Sequence, residues 1–331
     1  MEAEREYQKE IFANRLVKQF KILTKWARKN GIYCYRLYDK DIPEVPLLLE
    51  LYNSKDGIPY LSVTLYKRPY NVDENAEMAF LDEFARLSAS LLDVPLANVS
   101  TKIRKKQKGT SQYNKIENVK KLCFVTKEGE AFFHINISDY VDVGLFLDHR
   151  PLRIQLAKEA KDKTLLNLFC YTASFSIHAI LGGAKNVCSV DSSKVALLRA
   201  KENMKLNGIK QSGKFTLINA EVLAFLEEAT KECKKWDIIV CDPPTFSNSK
   251  RWEGVFDITK DYINLCCKCI KVLEKGGILY FSSNSRSLKF DEEALRESSG
   301  ESLFIKDISK DTIPFDFRNK KIHKAWKIKK E

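Results

Sequence analysis

The string Trp236-Asp237-Ile238-Ile239-Val240-Cys241-Asp242-Pro243-Pro244-Thr245-Phe246-Ser247-Asn248-Ser249-Lys250 joins an apolar run to an acid and two prolines. Proline lacks a backbone N–H, so two in succession stop a β-ladder and leave a stiff loop with an acid at its root. A plain turn needs no such device. Asp242, Pro243 and Pro244 are therefore the candidate catalytic residues, with Thr245 and Phe246 placed to line a substrate slot. A second string, Asn167-Leu168-Phe169-Cys170-Tyr171-Thr172-Ala173-Ser174-Phe175, forms a turn without glycine. A pyrophosphate needs glycines so that the backbone can approach it, which counts against NAD, FAD and P-loop nucleotides. S-adenosylmethionine carries no phosphate and is compatible with polar side chains there, so Asn167, Phe169, Tyr171, Thr172 and Ser174 are candidate cofactor contacts. Asp191 follows Asn167 by 24 positions, with Ser192 beside it. An acid at that strand end can accept from both ribose hydroxyls, and it can equally cap a helix over 192–206. Ala220 and Glu221 stand where an acid or amide would meet an adenine amino group, and Glu221 can also cap the helix that follows.

These strings need elements to hold them. From residue 164 apolar runs at 165–169, 187–190, 215–218, 236–240 and 278–282 alternate with helical stretches. That order implies βαβ units and a parallel sheet with helices on both faces. Runs at 303–308 and 322–328 are close enough to form a final antiparallel pair at the sheet edge, which makes seven strands. Upstream, Phe12, Leu16, Phe20, Leu23 and Ala27 recur at steps of three and four, the buried face of a basic helix over 1–30 that Gly31 ends. Short β-branched and aromatic runs at 33–38, 60–66 and 131–137, interrupted by a helix over 75–92, read as a small α+β domain over 31–140. The expected organisation is this helix and domain followed by an α/β domain over 141–331, with the boundary near 139–156.

Composition bounds the function. The 331 residues carry 56 Lys+Arg against 44 Asp+Glu, a formal charge of +12, and 44% hydrophobic residues, enough for a real core and incompatible with wholesale disorder. The first thirty residues contain no long apolar block, so neither a leader nor a membrane anchor is expected, and a cytoplasmic protein is the expectation. Nine cysteines, an odd number, read as reduced thiols. Cys266, Cys267 and Cys269 lack a distant partner pair and share a helix with Ile263 and Ile270, so no metal is expected. The charge is locally concentrated: between Lys102 and Lys121 eight basic residues, Arg104, Lys105, Lys106 and Lys108 among them, face only Glu117. With Tyr113 in the run, the composition suits phosphate contacts and base stacking, hence RNA. A solvated hairpin tip would look similar.

The Asp-Pro-Pro loop resembles the fourth motif of methyltransferases that act on nucleobases. Across nearly the whole chain the sequence resembles the RlmK type of 23S ribosomal RNA guanine-N7 methyltransferase, usually the carboxyl half of a bifunctional protein. The likeness rests on Phe12-Ala13-Asn14-Arg15-Leu16, Cys34-Tyr35-Arg36-Leu37-Tyr38-Asp39, Gln107-Lys108-Gly109, Gly144-Leu145-Phe146-Leu147-Asp148-His149-Arg150, Asn167-Leu168-Phe169, 242–250, Arg318-Asn319, Ile322-His323 and Trp326. It implies a Rossmann-like S-adenosylmethionine-dependent methyltransferase sheet preceded by a small mixed domain, with N7-methylguanosine in 23S rRNA, or its large-subunit precursor, as product. It also implies that Phe146 and Arg150 belong to the stretch closing over the cofactor. Two positions depart from the family: Ala173 where glycine is usual and Glu221 where aspartate is usual. Both weaken the cofactor expectation without removing a functional group. The amino-terminal partner domain of the bifunctional protein is absent, so a stand-alone chain or an excised half is expected.

Guanine N7 has a free lone pair and needs no general base. Cytosine C5, the nearest rival target, needs a cysteine thiolate to add to C6; relatives of that type place it after the fifth strand, where this chain has Asn284. A decayed RNA-binding or ribosome-assembly factor is the third reading, motivated by Ala173 and Glu221.

Overall fold

The computed structural model describes residues 2–66, 73–104, 121–139, 142–247 and 256–331. The chain divides into two compact units: residues up to 147 with 315–319, and residues 148–314 with 320–331. A single cut near 140 misses the 315–319 segment. It returns to the first unit because Asp316 accepts a 2.9 Å hydrogen bond from the Arg36 amide and the Arg36 guanidinium lies 4.1 Å over the Phe317 ring.

In the first unit, α1 (Glu2–Asn30) precedes β1 (Cys34–Asp39), β2 (Leu47–Asn53) and β3 (Pro59–Tyr66), then α2 (Glu74–Leu92) and β4 (Val99–Arg104). The sheet order is β1-β2-β3-β4, antiparallel except for β3 and β4. Parallel neighbours need a crossover, and α2 supplies it. Phe12, Leu16, Leu23 and Ala27 of α1 share a core with Tyr35, Tyr38, Phe80 and Phe84, the face its spacing predicts. Gly31 takes φ +62°, the left-handed turn that ends the helix without a Cβ clash. β5 (Cys123–Glu128) and β6 (Ala131–Asn136) form a separate hairpin.

The second unit runs α3 (Arg150–Glu159), β7 (Thr164–Leu168), α4 (Ser174–Leu181), β8 (Asn186–Asp191), α5 (Lys194–Leu206), β9 (Phe215–Asn219), α6 (Val222–Lys231) and β10 (Trp236–Cys241). The short pair β11 (Phe246–Ser247) and β12 (Phe256–Asp257) follows, then α7 (Ile258–Lys271), β13 (Leu273–Ser283), α8 (Glu292–Ser299), β14 (Leu303–Asp307), α9 (Ser309–Thr312) and β15 (Lys324–Lys330). The seven strands are ordered β14-β15-β13-β10-β7-β8-β9, with β15 antiparallel to both neighbours. This is the expected α/β sheet. β7 runs outward through β8 to β9, then the chain returns to β10 on the other side of β7. Their carboxyl ends therefore flank the topological switch point, where such sheets bind ligands. Leu166, Leu168, Ile239 and Cys241 bury one face of these strands against Leu265, Cys266 and Cys269 of α7. Gly182 caps α4 where a Cβ would lie 2.0 Å from the Ala157 oxygen, so only glycine lets α4 pack so closely on α3.

Candidate active site

Sheet register builds the site. Leu168 pairs with Val190 and Cys241 with Phe281, so the residues after each strand emerge beside one another: Phe169 near Asp191, and Asp242 near Ser282. On the β7 side, Phe169, Tyr171 and Ala173 all have positive φ, at 54°, 50° and 60°. The turn takes the left-handed backbone that glycine would favour, yet each position carries a side chain: Ala173 is buried, Phe169 packs on the core and Tyr171 is half-buried. Such residues cost about 1–3 kcal/mol each and persist only where the surroundings hold them. Asp191 is that hold. Its Oδ2 accepts from the Tyr171 amide at 2.9 Å and its Oδ1 from the Ser193 amide at 2.8 Å. Burial pushes its carboxyl up from the ordinary value, and the Ser193, Tyr171 and Ser192 amides oppose that shift.

Asp191 does not cap the next helix. Ser193 does, accepting from the Ala196 amide, and α5 begins at Lys194. A carboxylate has about four acceptor sites, so Asp191 keeps capacity to accept a further hydroxyl beyond these amides. Asn219 pairs with Asp191 across β8 and β9 and donates to the Asp191 and Ser192 carbonyls at 3.1 and 3.0 Å, while the Ala220 amide donates to the Asp191 carbonyl. Glu221 caps α6 through Oε2, which accepts from Leu223 and Ala224. Asp191, Ser192, Ala220 and Glu221 thus form one rim. The fit to a nucleoside cofactor rests on this rim of acceptors beside a turn without glycine.

Other cofactor candidates sit differently from expectation. Asn167 is buried, its amide donating to Ser176 Oγ at 2.8 Å, which in turn contacts Ser189 Oγ at 2.7 Å, so it props the turn from below. Thr172 is buried as well, and Asn203 donates to its carbonyl. Tyr171 is half-buried and its hydroxyl accepts from Arg199 at 3.1 Å. Phe169 packs on the core and Ser174 opens α4 half-buried. Arg150 is buried at the start of α3, while Phe146 belongs to the first unit.

On the β10 side, Asp242 Oδ1 accepts from Ser282 Oγ at 2.5 Å, and Oδ2 stands 3.4 Å from Nε2 of His149. His149 is 2% exposed, and neither ring nitrogen makes a hydrogen bond among the described residues. Burial lowers its pKa, against the attraction of Asp242 and Asp148, so the ring is neutral. It stacks on His323 at 4.6 Å between centroids and 7° between planes. His323 is fixed in turn by Asp148 and Thr312, each at 3.0 Å. Asp148, His149 and His323 lie close enough to suggest a metal cluster. The stacking argues against one, because in-plane lone pairs on parallel rings do not converge on a single ion. Nothing local in the sequence marks His149, His323 or Ser282 as site residues; only their pairing across the fold reveals them.

Pro243 is buried, Pro244 exposed, Thr245 half-buried, and Phe246 is 63% exposed. The Ile258 amide donates to the Thr245 carbonyl and Phe246 pairs with Asp257, which anchors this loop to α7. Burial pushes the Cys241 thiol well up, so it is no thiolate. Of the RNA candidates, Arg104 is exposed at the end of β4, 5.8 Å over the Tyr66 ring. Burial lowers Lys102 to about 8, against the pull of Glu50, Asp142 and Asp139. Lys105, Lys106, Lys108 and Tyr113 lie outside the described residues. Among the described residues no helix is long and apolar enough to cross a membrane.

A parallel sheet with an antiparallel edge pair, an acid closing β8 and an Asp-Pro-Pro loop after β10 define a methyltransferase. A family model of S-adenosylmethionine-dependent methyltransferases matches residues 56–320. The chain belongs to this family, and its cofactor is S-adenosylmethionine. It is 42% identical over 323 residues to the ribosomal RNA large subunit methyltransferase K/L of Psychromonas ingrahamii, covering 97% of this chain and 41% of that protein. To the protein of the same name from Cellvibrio japonicus it is 43% identical over 328 residues, covering 97% and 42%. The chain thus spans about two fifths of the length of these relatives. Among solved structures, SMU.776 complexed with SAH aligns with a TM-score of 0.70 at 21% identity, covering 96% of this chain and 81% of that one. The complex of aTrm5 and tRNALeu aligns at 0.55 and 15%, covering 88% and 74%. Identities this low speak for the fold alone.

Proposed function

We propose that the chain methylates N7 of guanine in 23S ribosomal RNA. The observation that carries this is the β10 loop: a fixed carboxylate, a rigid proline pair and an exposed ring, with no ionised thiol beside them. Bound S-adenosylmethionine supplies an electrophilic methyl group. Guanine N7 presents a lone pair without a proton to remove, so the protein's task is orientation, which can supply up to roughly 7–11 kcal/mol. Asp242, held by Ser282, orients the base edge and favours the positive charge that develops on the imidazole ring. Pro243 and Pro244 keep the loop from yielding, and Phe246 offers a face on which an unstacked base can rest. Asp191, Ala220 and Glu221 hold the cofactor's nucleoside, with Asn167 and Ser176 bracing the turn from beneath. Phe146 and Arg150 are the proposed closing segment, and Arg104, Lys105, Lys106, Lys108 and Tyr113 the phosphate and stacking contacts.

Cytosine C5 chemistry fits less well, since Cys241 is buried and Asn284 follows β13. The K/L relatives' name supports an rRNA substrate. Incubation with labelled S-adenosylmethionine and protein-free 23S rRNA, followed by nucleoside mass spectrometry, tests the reading. Recovery of 7-methylguanosine is expected, and recovery of 5-methylcytidine or of no methylated nucleoside overturns it.

A further inference from the structure

We propose that the second half of α1, with the Trp26–Phe315 ring pair beside it, is a binding surface for a single-stranded RNA segment. The inference rests on the RNA reading of the substrate above. Charge along α1 is handled in two ways. In its first half the basic side chains are paired: Arg5 with Glu83, Lys9 with Glu6 and Glu83, and Arg15 with Asp41. From Ile11 to Asn30 there is no acidic residue, and Lys18, Lys21, Lys25, Arg28 and Lys29 are all exposed and have no acidic partner among the described residues. At 3.6 residues per turn these five, with Ile22, fall within about a third of the helix circumference, opposite the buried Leu16, Leu23 and Ala27, and they span about 16 Å. The helix C-terminus favours cations only in its last turn, which accounts for Arg28 and Lys29 and leaves Lys18, Lys21 and Lys25 unexplained.

The second observation is aromatic. Phe315 is 60% exposed and meets Trp26 at 5.4 Å between ring centroids, at the edge of the basic stripe. This exposure is built into the fold. The flanking Pro314, Asp316 and Phe317 are buried, and Asp316 is bonded to the Arg36 amide, so the segment holds its phenylalanine outward. Exposed Ile22 lies one turn before Trp26 on the helix. A row of unpaired cations beside a fixed ring is the composition that tracks a phosphate backbone while stacking an unpaired base. An acidic protein would satisfy the cations, yet it would make no particular use of a flat exposed ring at their edge.

The test measures binding of the whole chain to an oligouridylate of about twenty nucleotides, across a salt series, by fluorescence anisotropy. Replacing Lys18, Lys21, Lys25 and Lys29 together by glutamine should lower the slope of log K against log salt by about 3, at about 0.7 per phosphate contact on single strands. Phe315→Ala should weaken binding about fivefold to a hundredfold at every salt concentration with the slope unchanged. A control replaces four exposed lysines of the second unit, Lys201, Lys231, Lys275 and Lys310, by glutamine. If control and α1 variant change the slope equally, or if both α1 and Phe315 variants bind as the unaltered chain does, the surface is wrong. Absence of RNA binding by the unaltered chain would instead sink the RNA reading itself.

Discussion

The two sides of the switch point are built on opposite terms. On the β7 side both Asp191 oxygens hold backbone amides, Asn167, Ser176 and Ser189 interlock beneath the turn, and Ser193 and Glu221 cap their helices. On the β10 side, among the described residues, His149 keeps two buried nitrogens without hydrogen bonds, Asp242 holds only one, and Phe246 is exposed. A buried unpaired polar group costs about 1–3 kcal/mol, so a fold keeps one where something else uses it. The β7 side, where we place the cofactor, is braced by its own hydrogen bonds. The β10 side, where we place the substrate, is braced less, and the 3.4 Å gap from His149 to Asp242 is of the kind that tightens when substrate arrives.

The hardest test of that contrast is Asp242→Ala. It should lower kcat by at least about a hundredfold while leaving RNA affinity nearly unchanged, since orientation and charge stabilisation are lost together. Equal loss in RNA binding and turnover would show that Asp242 is a binding group and erase the distinction. Asp191→Ala attacks the other side. Hydrogen bonds to a carboxylate contribute about 1.5–3 kcal/mol each, so the variant should lose about 3 kcal/mol of stability in chemical denaturation, and calorimetry should show weakened S-adenosylmethionine binding. If stability holds, the amides of Tyr171 and Ser193 have found other partners and the turn is not clamped as described.

The pH response separates the sides more finely. Burial holds the His149 pKa below its ordinary value of 6.5, with Asp242 and Asp148 opposing and His323 and Arg153 adding to the shift. The unfolded chain then takes up its proton first as pH falls. The stabilisation is present above 6.5 and is lost as pH drops through and below it, at no more than about 1.4 kcal/mol per pH unit for one proton. His149→Gln should flatten the denaturation profile there, and an unchanged profile would mean that His149 is not the group responsible. The smallest effect is expected for Ala173→Gly. Relief of left-handed strain, about 1–2 kcal/mol, outweighs the added freedom of the unfolded chain, about 0.4–1 kcal/mol. Melting should show a gain of about 0.5 kcal/mol.

Much of this was legible in the residues. Apolar runs located all seven strands of the large sheet, and the closely spaced pair at the end announced its antiparallel edge. Asp242-Pro243-Pro244 marked a loop because proline's missing N–H acts locally, whatever surrounds it. Asp191 was legible as an acid at a strand end, yet its part as a clamp on Tyr171 was hidden, because nothing local separates it from a helix cap. Ser193 won that position by standing two residues closer to the first turn. The positive-φ turn was hidden for a similar reason: without glycine there is no local mark of a left-handed backbone.

What the sequence determined by itself, then, is the strands of the large sheet, the stiff loop and the acid-free basic run of α1, since periodicity, ring closure and charge act over a few residues, whereas β2, β4 and β5 of the first unit were not legible. What only the tertiary structure decided is which distant groups share the site: Ser282 on Asp242, 40 residues away, and His323 under His149, held by Asp148 across 175 residues. Those meetings follow from strand order and register, and register is set by the packing of whole faces, which no short stretch of sequence contains.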